Sequence, residues 1–464
     1  MKLDLSLARK YSRPGPRYTS YPTAPHFGPQ VGTAQYLAEL GDPQVPVTAD
    51  FSLYVHLPFC RSRCTFCACN VLITSRRDQI AAYLELLKQE IDLLAERLGS
   101  ERQVGQLHWG GGTPTYLTAG EIEDLMGHLR SRFAFSEDAE ISIEIDPREF
   151  TTEQAAVLAE TGFNRASCGV QDFALPVQEA INRHQSYELT YHVLESLRSH
   201  GIGQINLDLI YGLPYQTEAS FSRTLDEVLT LQPDRLAVYS YAYLPHLKKQ
   251  QQLIDPETLP EPELKLALLS RTIARLTEKG ALVYIGMDHF ARPDDELALA
   301  LENGDLQRNF QGYSTRAGLD MYGLGMTSIG QTHNYYIQNH KRLSDYRRSV
   351  NAGQLPVERG VRLTAEDHLR RQVIHAVMCR FEIDIPAIEA QHGIDFRRHF
   401  ARELPNLEPF AADGLLVDDG ERIRVTEAGR LFIRNIAMTF DAYLPAERDR
   451  PGRSQTTATY SATV

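Results

Sequence analysis

The stretch Phe59-Cys60-Arg61-Ser62-Arg63-Cys64-Thr65-Phe66-Cys67-Ala68-Cys69-Asn70 gathers four of the chain's six cysteines. Their spacing is C-x3-C-x2-C-x-C. Cys168 and Cys379 lie far away, in surroundings where a small thiol simply packs. Clustered thiols in a chain too poor in cysteine for a disulfide scaffold point to a soft metal centre. Structural zinc usually takes two knuckles separated by a longer excursion. One short loop better suits an iron–sulfur cubane, whose separate iron atoms can each take a different thiolate. Binding by all four thiols would close the centre and leave electron transfer as its only work. Binding by Cys60, Cys64 and Cys67 alone would leave one iron open to a small molecule. The short reach from Cys67 to Cys69 favours the open iron, but spacing alone leaves both alternatives standing.

Outward from this loop, short β-rich runs alternate with longer helical ones, the rhythm of βα units around a parallel sheet. The predicted strands are Phe51–Leu57, Val104–Trp109, Ala139–Asp146, Arg165–Val170, Ile205–Ile210 and Arg235–Tyr243. Six repeats suffice for most of a barrel. Ile80, Tyr83, Leu84, Leu87, Ile91, Leu94 and Leu98 recur at helical spacing and read as core. Thr118-x-x-Glu121 and Thr151-x-x-Gln154 read as capping boxes at two helix starts. Active sites of parallel barrels lie at the carboxyl ends of the strands. The polar groups with chemistry fall there: the cysteine loop, Gly110–Thr113, Glu144, Gln171 and Asp208. Glu144 and Asp208 interrupt apolar strands, so each needs a partner, either a nearby Arg or Lys or a bound ligand. The run Gly110-Gly-Gly-Thr-Pro114 lacks the Lys-Ser/Thr of a phosphate loop. It serves either close backbone approach to a ligand or a tight turn.

The 464 residues, 42% hydrophobic and 23% charged, exclude a small binding module and wholesale disorder. A net charge of -12 argues against retention on nucleic acid by phosphate neutralisation. No apolar run approaches the ~20 residues of a spanning helix, so no membrane partner is expected. Lys2, Arg9, Lys10, Arg13 and Arg17 raise the thought of a transit peptide, which the prolines that follow oppose. With no secretory signal either, a cytoplasmic location is expected. Prolines at 14, 16, 22, 25 and 29 make Tyr11–Pro29 extended, either as a loose tail or as an arm whose Arg and Tyr residues close over an anionic substrate. After Asp295 the βα rhythm fades. Helices follow Thr364, and strands at Gly414–Val417 and Arg422–Val425 flank Asp418-Asp-Gly420, ahead of a helix through Arg434. That arrangement passes for a winged helix, although its acidic turn argues against DNA.

Cys60, Cys64, Phe66 and Cys67 resemble the radical S-adenosylmethionine (SAM) signature C-x3-C-x-aromatic-C. Further stretches narrow the resemblance: Pro16-Arg-Tyr-Thr-Ser-Tyr-Pro-Thr-Ala24, Tyr54-Val-His-Leu-Pro-Phe59, Leu107-His-Trp-Gly-Gly-Gly-Thr-Pro-Thr-Tyr116 and Ile143-Glu-Ile-Asp-Pro-Arg148. Gly169-Val-Gln-Asp172, Asp208-Leu-Ile-Tyr-Gly-Leu-Pro214 and Gly286-Met-Asp-His-Phe-Ala-Arg-Pro-Asp-Asp295 continue it. With Cys69 added, the chain resembles the oxygen-independent coproporphyrinogen III oxidases over most of its length.

Layout and resemblance together imply an α/β fold. A partial (β/α)6 TIM-like radical SAM barrel at 51–295 follows an N-terminal arm and lead-in at 1–50. A barrel extension at 296–360, a mainly α-helical C-terminal domain with a small hairpin at 361–447 and a disordered tail at 448–464 complete it. The resemblance implies a [4Fe-4S] cluster on Cys60, Cys64 and Cys67, and one or two SAM molecules. Cofactor contacts fall on Tyr54, Phe66, Gly111, Gly112, Thr113, Glu144, Gln171, Arg183, Asp208, Ala242 and Ile329, with Cys69 and Tyr54 serving turnover. The implied reaction converts two propionates of coproporphyrinogen III to vinyl groups, giving protoporphyrinogen IX. It proceeds through a 5′-deoxyadenosyl radical, with an unidentified electron donor and acceptor, in a monomer. The competing readings are a haem-handling relative without oxidase activity and a closed-cluster electron carrier.

Overall fold

The computed structural model describes residues 4–99, 101–316, 318–444 and 460–463. Its frame is six parallel strands in sequence order: β1 (Asp50–Leu57), β2 (Gln103–Gly111), β3 (Ala134–Ile145), β4 (Arg165–Gln171), β5 (Gln204–Tyr211) and β6 (Arg235–Ser240). All six predicted strands form. Helices Arg77–Ala95, Ala119–Arg132, Thr152–Glu160, Tyr187–Ser199 and Glu218–Thr230 make the crossovers. The predicted stripe on the first crossover helix faces the sheet, with Ile80, Tyr83, Leu84, Leu87, Ile91 and Leu94 all at most 3% exposed, whereas its last member, Leu98, lies past the helix end at Ala95 and is half-buried against the same core. Each of the six buried side chains contributes about 1.5–3 kcal/mol of apolar burial. Both capping boxes close: Glu121 N donates to Thr118 Oγ1 at 3.3 Å, and Gln154 N donates to Thr151 Oγ1 at 3.2 Å.

The sheet extends past the six strands at both edges. Beyond β6 lie β7 (Val283–Gly286) and β8 (His289–Ala291), with β8 antiparallel to β6. Beyond β1, β9 (Asp320–Leu324) runs parallel to β1 and leads into the antiparallel strands β10 (Ile329–Gln331), β11 (Tyr335–Asn339) and β12 (Val357–Arg362). The order runs from β12 at one edge to β7 at the other, so the barrel is an open arc.

Residues past Thr364 form the helix Ala365–His375, the π turn Ala376–Arg380 and the helix Ile385–His392. A three-stranded sheet joins β13 (Glu382–Asp384), β14 (Leu416–Asp418) and β15 (Arg422–Val425), so the predicted hairpin gains a third strand. The N-terminal arm is not a loose tail. Its helix Leu5–Tyr11 stacks Tyr11 on Phe410 with ring centroids 4.6 Å apart, and Tyr18 and Tyr21 are fully buried.

The expected disordered tail needs correction. Residues 448–459 lie outside the described residues, whereas residues 460–463 pack against the arm, with Ala462 bridging Pro14 and Thr463 N donating to Arg13 O at 2.8 Å. Ser/Thr-rich composition gave no sign of this, because the partner is more than four hundred residues away in sequence. Among the described residues no helix is long and apolar enough to cross a membrane.

Candidate active site

At the carboxyl ends of β1–β6 a cavity of about 310 Å³ is lined by Cys60, Cys64, Phe66, Cys67 and Cys69 of the thiol loop. Gly111, Gly112, Thr113, Glu144, Gln171, Arg183 and Asp208 complete its lining. Twelve of the fifteen predicted site residues therefore meet there. The other three do not line it. Tyr54 lies in β1, stacked on His108 with centroids 5.9 Å apart. Ile329 sits in β10 beside Gly323, and Ala242 follows β6.

The cysteine loop is pinned from several directions. Thr65 Oγ1 donates to Ala180 O at 3.0 Å, and Gln251 Nε2 donates to Phe66 O at 3.0 Å. Lys248 and Gln250 bond the carbonyls of Ala68 and Cys67. Cys60 Sγ lies 3.4 Å from Thr113 Oγ1. Arg148 and Arg183 donate to Cys64 Sγ at 3.5 and 3.9 Å. Cys69 is exposed, and its thiol hydrogen-bonds Cys67, which brings Cys67 down to about 6 and pushes Cys69 up.

No three His, Cys, Asp or Glu side chains among the described residues converge as one metal ion requires. A cubane takes each thiolate on a separate iron, which suits Cys60, Cys64 and Cys67 spread around the cavity wall. Cys168 and Cys379 are fully buried and pack as predicted.

Both strand carboxylates have hydrogen-bond partners, none of them an Arg or Lys among the described residues. Glu144 lies 3.3 Å from His108 Nε2 and accepts from Gly111 N at 3.0 Å. Burial alone would raise its pKa, but these bonds outweigh it and hold Glu144 below the usual range. Asp208 accepts from Asn206 Nδ2 at 2.9 Å and Ser167 Oγ at 3.2 Å. Burial there wins and pushes Asp208 up to about 6.

The glycine run is a matter of close approach. A Cβ on Gly112 would stand 2.6 Å from the carbonyl carbon of Pro58, and one on Gly110 would stand 2.8 Å from Glu144 Oε1. Gly111 itself has φ +114°. Substitution here would push the cysteine loop off the end of β2.

Sequence reasoning passed over Asp146 and Arg148. Asp146 accepts from Arg183 Nη1 at 2.9 Å and from Arg148 Nη2 at 2.7 Å, so it aims both guanidiniums at Cys64. The available signal was strand alternation, since Asp146 follows Glu144 by two residues and shares its face. Ser167, Asn206, His108 and Tyr239 were missed as well.

A thiol loop over a glycine-lined cavity at the mouth of an open parallel barrel defines a radical SAM protein, and the family profile "Radical SAM superfamily" matches residues 54–228. A second profile, "HemN C-terminal domain", matches residues 363–432. Oxygen-independent coproporphyrinogen III oxidase of Pseudomonas aeruginosa is 48% identical over 96% of this chain and 97% of its own length. The Escherichia coli protein of the same name is 47% identical over 95% of both chains. A solved structure of E. coli coproporphyrinogen III oxidase, described as a radical SAM enzyme, superposes with TM-score 0.90 at 46% identity, covering 96% of this chain and all of that one. The chain belongs to the oxygen-independent coproporphyrinogen III oxidase family.

Proposed function

We propose that this chain is an oxidoreductase that converts two propionate side chains of coproporphyrinogen III to vinyl groups without oxygen, yielding protoporphyrinogen IX for haem biosynthesis. The observation that carries the reading is the placing of three thiols suited to a cubane over the cavity that holds Glu144, Gln171, Arg183 and Asp208. A [4Fe-4S] cluster and SAM, when bound, supply a 5′-deoxyadenosyl radical strong enough to break an unactivated C–H bond, which no side chain does near neutral pH.

The chain's own residues hold and orient. Cys60, Cys64 and Cys67 bind the cluster, and Arg148 and Arg183 stabilise negative charge on Cys64. Gly111, Gly112 and Thr113 let backbone groups approach the amino-acid end of SAM. Glu144 and Asp208 offer acceptors to ribose hydroxyls or an ammonium, and Gln171, at φ +71°, presents its amide to the same space. Phe66 covers an apolar edge. Tyr54, Ala242 and Ile329 flank this set, and the size of the donor collection suits a second SAM. Cys69 serves turnover without binding iron.

Arg17 anchors a substrate carboxylate. It stands over the ring of the cavity-lining Tyr239 at 5.7 Å and is paired with Asp288, beside the buried Arg308. Deleting the whole arm would strip Tyr11, Tyr18 and Tyr21 from the core, so Arg17→Gln is the sharper probe. It should raise the KM for coproporphyrinogen III while SAM cleavage without substrate persists. Unchanged KM would remove Arg17 from the reading.

The reading takes the chain as a cytoplasmic monomer that draws electrons from a separate donor and passes them to a separate acceptor. Anaerobic reconstitution followed by assay of carbon dioxide and vinyl products tests the function. A cluster whose EPR signal does not respond to SAM would overturn it.

A further inference from the structure

A second cavity, of about 400 Å³, opens where the helix Ala365–His375 meets the sheet extension. His333, His368, His375, His392, Arg371 and Arg380 line it, and no Asp or Glu does, in a chain of net charge -12. Four elements of the fold deliver these groups. His333 sits in the turn between β10 and β11. His368, Arg371 and His375 follow one another at i, i+3 and i+7, along one face of their helix. Arg380 ends the π turn and His392 ends the next helix.

Some of these groups satisfy one another. Arg371 Nη2 and His368 Nδ1 are 3.1 Å apart, the rings of His333 and His368 lie 5.1 Å apart, and His392 Nε2 is 2.7 Å from Gln372 Oε1. Two buried polar atoms are left over. Arg371 Nη1 and His375 Nε2 have no hydrogen-bond partner among the described residues. A buried guanidinium N–H without an acceptor is costly, and such atoms call for an explanation. A metal ion is not that explanation, because the imidazoles do not converge on one point and Arg371 repels a cation.

We propose that this cavity is a binding site for a multiply charged oxyanion, of polycarboxylate or phosphate type, which takes Arg371 Nη1 and His375 Nε2 as donors. Its volume lies within the range of small-molecule sites and favours a ligand larger than a single phosphate. The site is separate from the thiol loop, and its occupancy does not depend on the decarboxylation reading.

The titration behaviour agrees with this geometry. Burial drives His375 down to about 3, with Arg371, Arg308 and Arg380 adding to it. Burial drives His368 down to about 4, joined by Arg371, His333 and His392 and opposed by Asp367. An anion seated against Arg371 offsets the positive charge that depresses both imidazoles, and so raises them from these values.

The test is calorimetric titration of the anaerobic, cluster-loaded full chain with inorganic phosphate, with tricarballylate and with coproporphyrin III, the oxidised and unreactive macrocycle. Tricarballylate is a tricarboxylate that lacks the iron-chelating hydroxyl of citrate. It should bind one equivalent, and at least tenfold more weakly to Arg371→Gln, with decarboxylation unchanged. His333→Gln, on a different element, should weaken it too and stands in if Arg371→Gln misfolds. Coproporphyrin III binding at two equivalents to the native chain and one to the variant assigns the site to tetrapyrrole carboxylates. One equivalent in both, with tricarballylate or phosphate still bound at the cavity, assigns it to a free oxyanion. Absence of binding by all three probes, or binding unaffected by both substitutions, overturns the proposal.

Discussion

Replacing Asp146 by Asn tests how much of the thiol loop's order comes from the charged cluster behind it. The carboxylate accepts from Arg183 Nη1 at 2.9 Å, from Arg148 Nε and Nη2 at 3.0 and 2.7 Å, and from Arg148 N at 3.1 Å. Its side chain is 10% exposed, that of Arg183 7% and that of Arg148 18%. Breaking a buried ion pair from one side costs about 3–5 kcal/mol, because the surviving charge stays buried. Arg148 reaches some solvent, and the Asn carbonyl keeps part of the bonding, so the lower end, about 3 kcal/mol, is expected. Trp109 is the only tryptophan and is fully buried in β2, which makes its fluorescence a local reporter of barrel unfolding in urea. The same substitution frees both guanidiniums that point at Cys64, so iron content after reconstitution should fall, though less than in Cys64→Ser. A loss below about 1 kcal/mol together with normal iron content would refute the argument, since leaving two largely buried guanidiniums without their carboxylate has to cost more than that.

Cys69→Ser should keep its iron and lose decarboxylation; iron content falling as far as in Cys64→Ser would make Cys69 a ligand. Glu90 is fully buried with no Lys or Arg paired to it among the described residues, and burial pushes it up to about 7 against bonds from Tyr346, Gly325 N and Asn339. A folded value above the ordinary 4.5 means its contribution to stability is complete below about pH 4.5 and lost as pH rises through about 7. Glu90→Gln should flatten that slope, a change of about 3 kcal/mol between urea titrations at about pH 4.5 and about pH 8; an unchanged slope would show that the three hydrogen bonds already cancel the burial. Gly112→Ala should cost both activity and stability, because its Cβ would stand 2.6 Å from the Pro58 backbone; a normal melting curve and turnover would show that the cysteine loop yields freely.

What could be read from sequence was what local periodicity carries. The six strands, the Ile80–Leu94 stripe and two capping boxes each need only a dozen neighbouring residues, and all of them form. Glu144 and Asp208 stood out because a carboxylate in an apolar strand is a local contradiction. Their partners were hidden because register decides them. Pairing of β2 with β3 puts His108 opposite Ser142, two residues from Glu144, and pairing of β4 with β5 sets Ser167 opposite Asn206, beside Asp208. No local pattern distinguishes those pairings from a slip of two residues. The outer strands β9–β12 have three to six residues each, too short for a clear period, so only the fading of the βα rhythm was visible. The C-terminal return fails for a different reason. A polar Ser/Thr-rich segment has no apolar face to announce burial, and what orders residues 460–463 is backbone bonding to Arg13 and Gly15 and the Arg434 guanidinium on Ala462 O. Sequence therefore exposes a site where residues conflict with their own element, and conceals it where the conflict is resolved by a distant strand. In this chain that line runs between Glu144, found, and Asp146, missed, although the two share one face of β3 and its loop.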